Sequence, residues 1–251
     1  MSKTILISGA AGKLGRQMTH HFLAQGHTVI ATSRRAETLT DLGESVSDLP
    51  GHLEGVVVDL VVDGGAALAK RLEGRNLLPH AVINNAIDLS NQCLSDDGLP
   101  AREQWHIEFE LAVIAPFDLV MALVAMSGTR LSAVVNISSM YGMVARNPSL
   151  YDHPLRQSPI HYGVAKAAMI HLTRELAVRL APRNIRVNAV SFGGVAGRVD
   201  SAFMARYAKL CPSGRMLDET EIPASVAFLI SEQASGITGH NLVVDGGWTA
   251  W

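Results

Sequence analysis

At 251 residues, with 21 basic and 23 acidic side chains and a formal charge of −2, the chain has the size of one large α/β domain and no block of like charge that nucleic acid or an acidic membrane surface would select. Two cysteines, Cys93 and Cys211, are too few for a disulfide framework, and no apolar run approaches the roughly 20 residues that cross a bilayer. The start MSKTILISG shows no charged n-region with a long apolar run and no cleavage site, so a reducing cytoplasm and a small-molecule partner are expected.

The first predicted strand, TILIS (4–8), runs into the turn SGAAGKLG (8–15) and then into a helix whose stripe Leu14, Met18 and Phe22 ends at Gly26. Further strands are predicted at TVIAT (28–32), LEGVVVD (53–59), HAVINNA (80–86), SAVVNIS (132–138), IRVNAVS (185–191) and NLVVD (241–245). Helical patterns fall between them at about 64–74, 101–127, 159–181 and 221–231. The strands are apolar on both faces, as parallel strands covered by helices must be. The alternation predicts a Rossmann-type, doubly wound α/β fold of about seven strands, with a ligand crevice beyond their carboxyl ends. No repeat or Pro/Gly/Ser linker divides it, so residues 1–251 read as one dinucleotide-binding and catalytic domain. The Gly-rich, irregular stretch 192–220 reads as a mobile flap over the crevice.

Gly9, Gly12 and Gly15 permit a tight turn, a close backbone approach to a pyrophosphate and close packing of helix on strand. An ordinary βα turn would look similar, but the strand-turn-helix context favours dinucleotide binding. At the end of the second strand, where NAD enzymes usually carry an acidic side chain, the chain reads Thr32, Ser33, Arg34, Arg35. A hydroxyl followed by guanidinium suits a 2′-phosphate, so NADP (NADPH) is expected over NAD; the alternative is two arginines that merely solvate a loop. Asp59, at the end of the third strand, can receive the adenine amino group or cap the next turn.

In YGVAK (162–166), Tyr162 and Lys166 lie one helical turn apart on one face. A phenol titrates near ~10, and a neighbouring cation lowers that value and makes it a usable acid or base. The bland alternative is a packed tyrosine beside a snorkelling lysine. Tyr151 and Tyr141 compete for the role, but Leu155 and Ala145 stand where their lysine would be.

SGAAGKLG, the pair Asp59-Leu60, NNA (84–86), VVNISSMYG (134–142), YGVAK, IRVNAVS and ITGHNLVVDGG (237–247) follow one another in an order that resembles the short-chain dehydrogenase/reductase family. The likeness covers essentially the whole chain. Its terminal VDGG is similar to the classical branch, whereas the glycine spacing is more like the extended one. The resemblance implies that Tyr162 is the general acid/base, that Lys166 lowers its pKa and holds the nicotinamide ribose, and that Ser139 binds the substrate oxygen. It also implies cofactor contacts from Gly9, Gly12, Leu14, Gly15, Ser33, Arg34, Asp59, Leu60, Asn85, Ala86, Gly193 and Val195. Members commonly pair through the helix carrying the tyrosine, so a homodimer or homotetramer is expected from the apolar Ala168, Ile170, Leu172, Leu176 and Leu180.

The chain departs from the family at four places. The asparagine that usually holds a relay water after the tryptophan of the central helix is Ala112, leaving Glu108 or Glu110 to substitute if the helix is distorted, or simply to face solvent. NNAG is NNAI with Ile87, Pro-Gly after strand six is Phe192-Gly193, and the threonine beyond it is Gly197. An insert, ARNPSLYDHPLRQSP, separates Ser139 from Tyr162 and resembles that of reductases associated with flagellin glycosylation and nine-carbon acidic sugars. There Arg146, Asn147, Tyr151 and His153 suit a polyhydroxylated or anionic ligand, unless the insert is a surface loop or subunit contact. The histidines show no paired spacing, so no metal site is proposed. The expected function is NADP-dependent hydride transfer to or from a small carbonyl or alcohol, with a sugar derivative as one candidate. The alternative is a catalytically weakened dinucleotide-binding sensor.

Overall fold

The computed structural model describes residues 2–251. Seven parallel strands form one sheet in the order β3-β2-β1-β4-β5-β6-β7. They are β1 (Thr4–Ile7), β2 (Thr28–Ser33), β3 (His52–Val57), β4 (Ala81–Asn84), β5 (Ala133–Ser139), β6 (Arg186–Phe192) and β7 (Asn241–Val244). All seven predicted strands are present, and the reason is visible in β1. Ile5 and Ile7 enter a core with Met18, Phe22 and Val226, while Leu6 enters the opposite core with Leu68, Leu119 and Leu176. Burying such side chains stabilises the fold by roughly 1.5–3 kcal/mol each, which drives helices onto both faces. Strand order reverses between β1 and β4, and the crevice opens at that point.

The helices are α1 (Lys13–Ala24), α2 (Ala36–Ser45), α3 (Gly64–Gly74), α4 (Arg102–Phe109), α5 (Ala115–Ala125), α6 (Pro154–Gln157), α7 (Ile160–Leu180), α8 (Ser201–Leu210) and α9 (Ile222–Ile230). Gly26 ends the first helical pattern as expected; its φ of 75° suits glycine although a Cβ there would meet nothing. The predicted helix 101–127 is broken by a π-turn, Glu110–Ile114, between α4 and α5. Helix α2 was not expected, because it buries only Leu42 and so shows little apolar periodicity.

Residues 192–220 are more ordered than their composition implies. They contain α8, a bridge between Val195 and Leu217, and Tyr207, whose ring stacks on Trp248 at 4.5 Å. The insert is anchored on this unit: Leu150 is fully buried beside Tyr207, and Arg206 Nε donates to the Leu150 carbonyl at 2.8 Å. The apolar face expected to drive pairing through α7 also needs correction. Ile170, Leu176 and Leu180 are buried within the chain itself, and Ile160, Val164 and Val178 are the large apolar side chains of α7 left exposed. Among the described residues no helix is long and apolar enough to cross a membrane.

Candidate active site

Strand β5 is buried along its whole length and delivers Ser139 to the crevice at its carboxyl end. The chain then turns tightly onto α7. A Cβ at Gly142 would lie 2.8 Å from the Lys166 carbonyl carbon, and one at Gly163 would lie 2.9 Å from the Tyr141 carbonyl oxygen. Glycine at both places lets the turn rest on the helix, which brings Ser139 against Tyr162. Ser138 Oγ donates to the Lys166 carbonyl at 3.0 Å, and Lys166 Nζ donates to the Ile137 carbonyl at 2.9 Å, so β5 also holds the second turn of α7.

Burial raises the Tyr162 pKa above its ordinary value; the hydrogen bond with Ser139 and the Arg146 guanidinium oppose that shift, while Glu108 and Tyr151 add to it. The opposing pull comes from Ser139 and Arg146, and Lys166 Nζ lies 5.8 Å from the Tyr162 ring centroid. Burial lowers Lys166 to about 8, against the attraction of Glu108. Ala112 sits in a small apolar cluster with Ala165 and Met169, at the π-turn. Of the two glutamates, Glu108 is the one facing this region. It is buried and accepts from Asn91 Nδ2 at 3.2 Å, and the Asn91 carbonyl meets His161 Nε2 at 2.9 Å. Glu110 stands apart; burial and Asp118 raise its pKa.

A cleft of about 390 Å³ runs from Ser139, Tyr162 and Lys166 to the glycine turn. Gly9, Gly12, Leu14, Ser33, Arg34, Asp59, Leu60, Asn85, Ala86, Gly193 and Val195 all line it. Gly15 does not: it is buried within the first turn of α1, where a Cβ would lie 2.2 Å from the Gly9 carbonyl oxygen. Gly9 has φ of 65°, and a Cβ there would lie 2.9 Å from Ala86 Cα. The NNA segment is pinned to this turn because Ser8 Oγ accepts from the Asn85 and Ala86 amides at 2.9 and 3.0 Å.

At the end of β2, Ser33 Oγ meets Thr38 Oγ1 at 2.6 Å, and Arg34 Nη1 pairs with Asp88 Oδ2 at 2.8 Å. Burial pushes the Asp88 carboxyl up, but hydrogen bonds from Ser90 and Arg34 outweigh it and hold it below the ordinary value. Asp59 Oδ1 accepts from the Val61 amide at 2.9 Å, which is the turn-capping reading. Gly197 has φ of 100°, a conformation that disfavours threonine, and a Cβ there would lie 2.8 Å from Lys13 Nζ. That ammonium donates to the Ala196 carbonyl and lies 3.7 Å from Glu219, tying the glycine turn to the 192–220 segment.

Ile87, in place of the family's glycine, lines the cleft. Lys13, Thr38, Asp88 and Arg198 also line it and carried no sequence signal. From the insert, Arg146 packs 4.5 Å over the Tyr141 ring and 5.4 Å from that of Tyr162, and Tyr151 Oη meets Tyr141 Oη at 3.1 Å. Asn147 instead caps its own turn at the Ser149 amide, and His153 is exposed.

This arrangement has counterparts. The protein-family profile described as Enoyl-(Acyl carrier protein) reductase matches residues 9–249. An uncharacterized short-chain type dehydrogenase/reductase of Sinorhizobium fredii is 32% identical over 98% of this chain, which spans only 43% of that relative's length. Post-translational flagellin modification protein A of Campylobacter coli is 38% identical over 46% of this chain and 45% of its own. The solved structure of 4-hydroxyisoleucine dehydrogenase complexed with NADH superposes with a TM-score of 0.84 at 27% identity, covering 100% of both chains. With the glycine turn, Ser139, Tyr162 and Lys166 gathered on one cleft of a seven-stranded parallel sheet, the chain belongs to the short-chain dehydrogenase/reductase family of oxidoreductases.

Proposed function

We propose that this chain is an NADP-dependent oxidoreductase acting on a small carbonyl or alcohol, a sugar derivative among the candidates. The observation that carries the reading is the convergence of Ser139, Tyr162 and Lys166 at one end of a cleft whose other end holds the glycine turn, Ser33 and Arg34. The residues fit a dinucleotide: Gly9 and Gly12 leave their backbone bare where a pyrophosphate must approach closely. When bound, the cofactor supplies or accepts the hydride. Ser139 donates a hydrogen bond to the substrate oxygen, on which charge develops in the transition state. Tyr162 gives that oxygen its proton, and because burial favours the neutral phenol, the free site is poised as an acid, the state that carbonyl reduction uses. Glu108 is assigned to balance the buried Lys166 charge, a service that Ala112 cannot give.

The preference for NADP rests on the absence of a carboxylate at the end of β2 and on the guanidinium that stands there. Asp88 competes for the same guanidinium. Arg34→Ala is therefore expected to weaken NADPH binding by roughly 10- to 100-fold with little change for NADH, as for a lost hydrogen bond to a charged group. Asp88→Asn is expected to strengthen NADPH binding. Fluorescence titration with both cofactors decides it, and equal losses for the two in Arg34→Ala would remove the NADP assignment.

The segment 192–220 is assigned as the cover of the cleft, since Val195 and Arg198 line it while Tyr207 anchors its base. Two unpaired cysteines, Cys93 and Cys211, fit a reducing cytoplasm. A homodimer or homotetramer is assigned from Val164 and Val178 on α7 and Ile114 on the adjoining π-turn, all apolar and exposed. Light scattering at micromolar concentration is expected to give at least twice the mass of one chain, and a monomer throughout would overturn the assignment.

A further inference from the structure

Arg146 is a cation without an anion. Its Nε is sealed from solvent and meets no acceptor, and its Nη1 reaches only the Gln157 carbonyl at 3.4 Å. Nη2 has no protein partner either but is open to solvent. Among the described residues no carboxylate lies within ion-pair distance of Arg146; several other arginines also lack one, but only Arg146 has a guanidinium nitrogen that is sealed from solvent with no acceptor. A guanidinium partly stripped of water and left unpaired is unfavourable unless something else supplies the counter-charge.

Its position says what that something does. The guanidinium carbon stacks 4.5 Å over Tyr141 and stands 5.4 Å from the ring of Tyr162. The Tyr141–Tyr151 hydroxyl pair fixes the first of those rings, and Leu150 and Arg206 fix the insert that carries the arginine. Arg146 thus stands beside the Tyr162 ring without lining the dinucleotide cleft. We propose that Arg146 binds a carboxylate on the substrate, within a few bonds of the carbon that exchanges hydride, making the preferred substrates small oxo or hydroxy acids.

This assignment rests on the oxidoreductase reading and sharpens it. A single guanidinium matches one carboxylate group; a phosphate dianion would concentrate a second, uncompensated charge on the same group, beside a phenol that must give up its proton. The bound carboxylate would also oppose the pull of Arg146 on Tyr162 and so keep that phenol protonated for reduction.

The test separates binding from turnover. Calorimetric titration of the NADPH complex with succinate, succinamide and inorganic phosphate is expected to show succinate bound at least about tenfold more tightly than the other two, the scale of one charge-assisted contact. Arg146→Gln is expected to bring succinate down to the level of succinamide, and Arg146→Lys to restore part of the difference, with NADPH affinity held in both. Equal binding of succinate and succinamide by the wild type, or an unchanged ratio in Arg146→Gln, overturns the inference, and tighter binding of phosphate overturns the carboxylate assignment. NADPH oxidation with four- to six-carbon oxo acids and their primary amides, sizes taken as roughly what the space beside a bound dinucleotide admits, is then followed in the same proteins. If succinate binds through Arg146 but neither acids nor amides turn over, the oxidoreductase reading fails while the anion site stands.

Discussion

Replacing Tyr162 by phenylalanine is expected to lower NADPH-linked turnover by about 100-fold or more, the scale of losing a positioned general acid, while leaving the fold and cofactor affinity in place. Only the hydroxyl is removed, and the ring keeps its packing against Arg146. Lys166→Ala is expected to lower both turnover and cofactor affinity. The pH profile tests the same assignment. For the wild type, kcat/KM reports the free protein, in which burial holds Lys166 at about 8. Reductive kcat/KM should therefore fall as pH rises through about 8, where Lys166 loses its charge, well before the raised Tyr162 begins to ionise. Absorbance at 340 nm against a panel of oxo acids, ketones, keto-sugars and quinones gives the turnover. A wild type that binds NADPH, turns over nothing in that panel and is unaffected by phenylalanine at 162 would return the molecule to the sensor reading. A profile flat to pH 10 would remove Lys166 from the titrating machinery.

Gly15→Ala is expected to damage stability and cofactor binding together. The added methyl would lie 2.2 Å from the Gly9 carbonyl oxygen and 2.7 Å from both Ala10 Cα and the Ala10 carbonyl oxygen. All three are backbone atoms of the turn itself, so relief requires moving α1 away from the end of β1. Overpacking of this kind destabilises by about 1–3 kcal/mol, occasionally more. For a chain of this size each kcal/mol shifts the melting temperature by roughly 2–4 °C, so a drop of about 5–10 °C is expected. Weaker NADPH binding accompanies it, because the displaced atoms belong to the turn that must approach the pyrophosphate. Gly74→Ala is the control: a Cβ there meets nothing, its φ is not positive, and the melting temperature should hardly change. A Gly15→Ala protein as stable as the control and equally able to bind NADPH would show that close packing at this turn is not required.

Much of the architecture was legible because its cause is local. A strand buried on both faces must be apolar at successive positions, and β1, β4, β5 and β6 are buried through nearly all of theirs. Gly9, Gly12 and Gly15 announced the turn by their spacing; at Gly9 and Gly15 a larger residue would meet backbone closer than 3 Å, and at Gly12 the fit is tight. Tyr162 and Lys166 announced themselves by helical spacing, which places them on one face wherever the helix goes.

The elements that escaped have little local pattern. Helix α2 buries one leucine, and α8 is held mainly through Tyr207, so neither carries an apolar stripe to read. Three decisions at the site were tertiary. Arg34 meets Asp88 across 54 positions of sequence, and that pairing tempers the NADP preference that the tip of β2 suggests by itself. Glu108 rather than Glu110 faces Lys166, because the π-turn and the packing of α4 against α7 set which side of the helix points inward. Arg146 lies against Tyr162 because Leu150 and Arg206 anchor the insert at a distant part of the fold. Sequence by itself determined the sheet, the glycine turn and the tyrosine-lysine pair, since periodicity and backbone sterics act between near neighbours. The charges around that pair come from segments far apart in the chain, and only their packing brought them together.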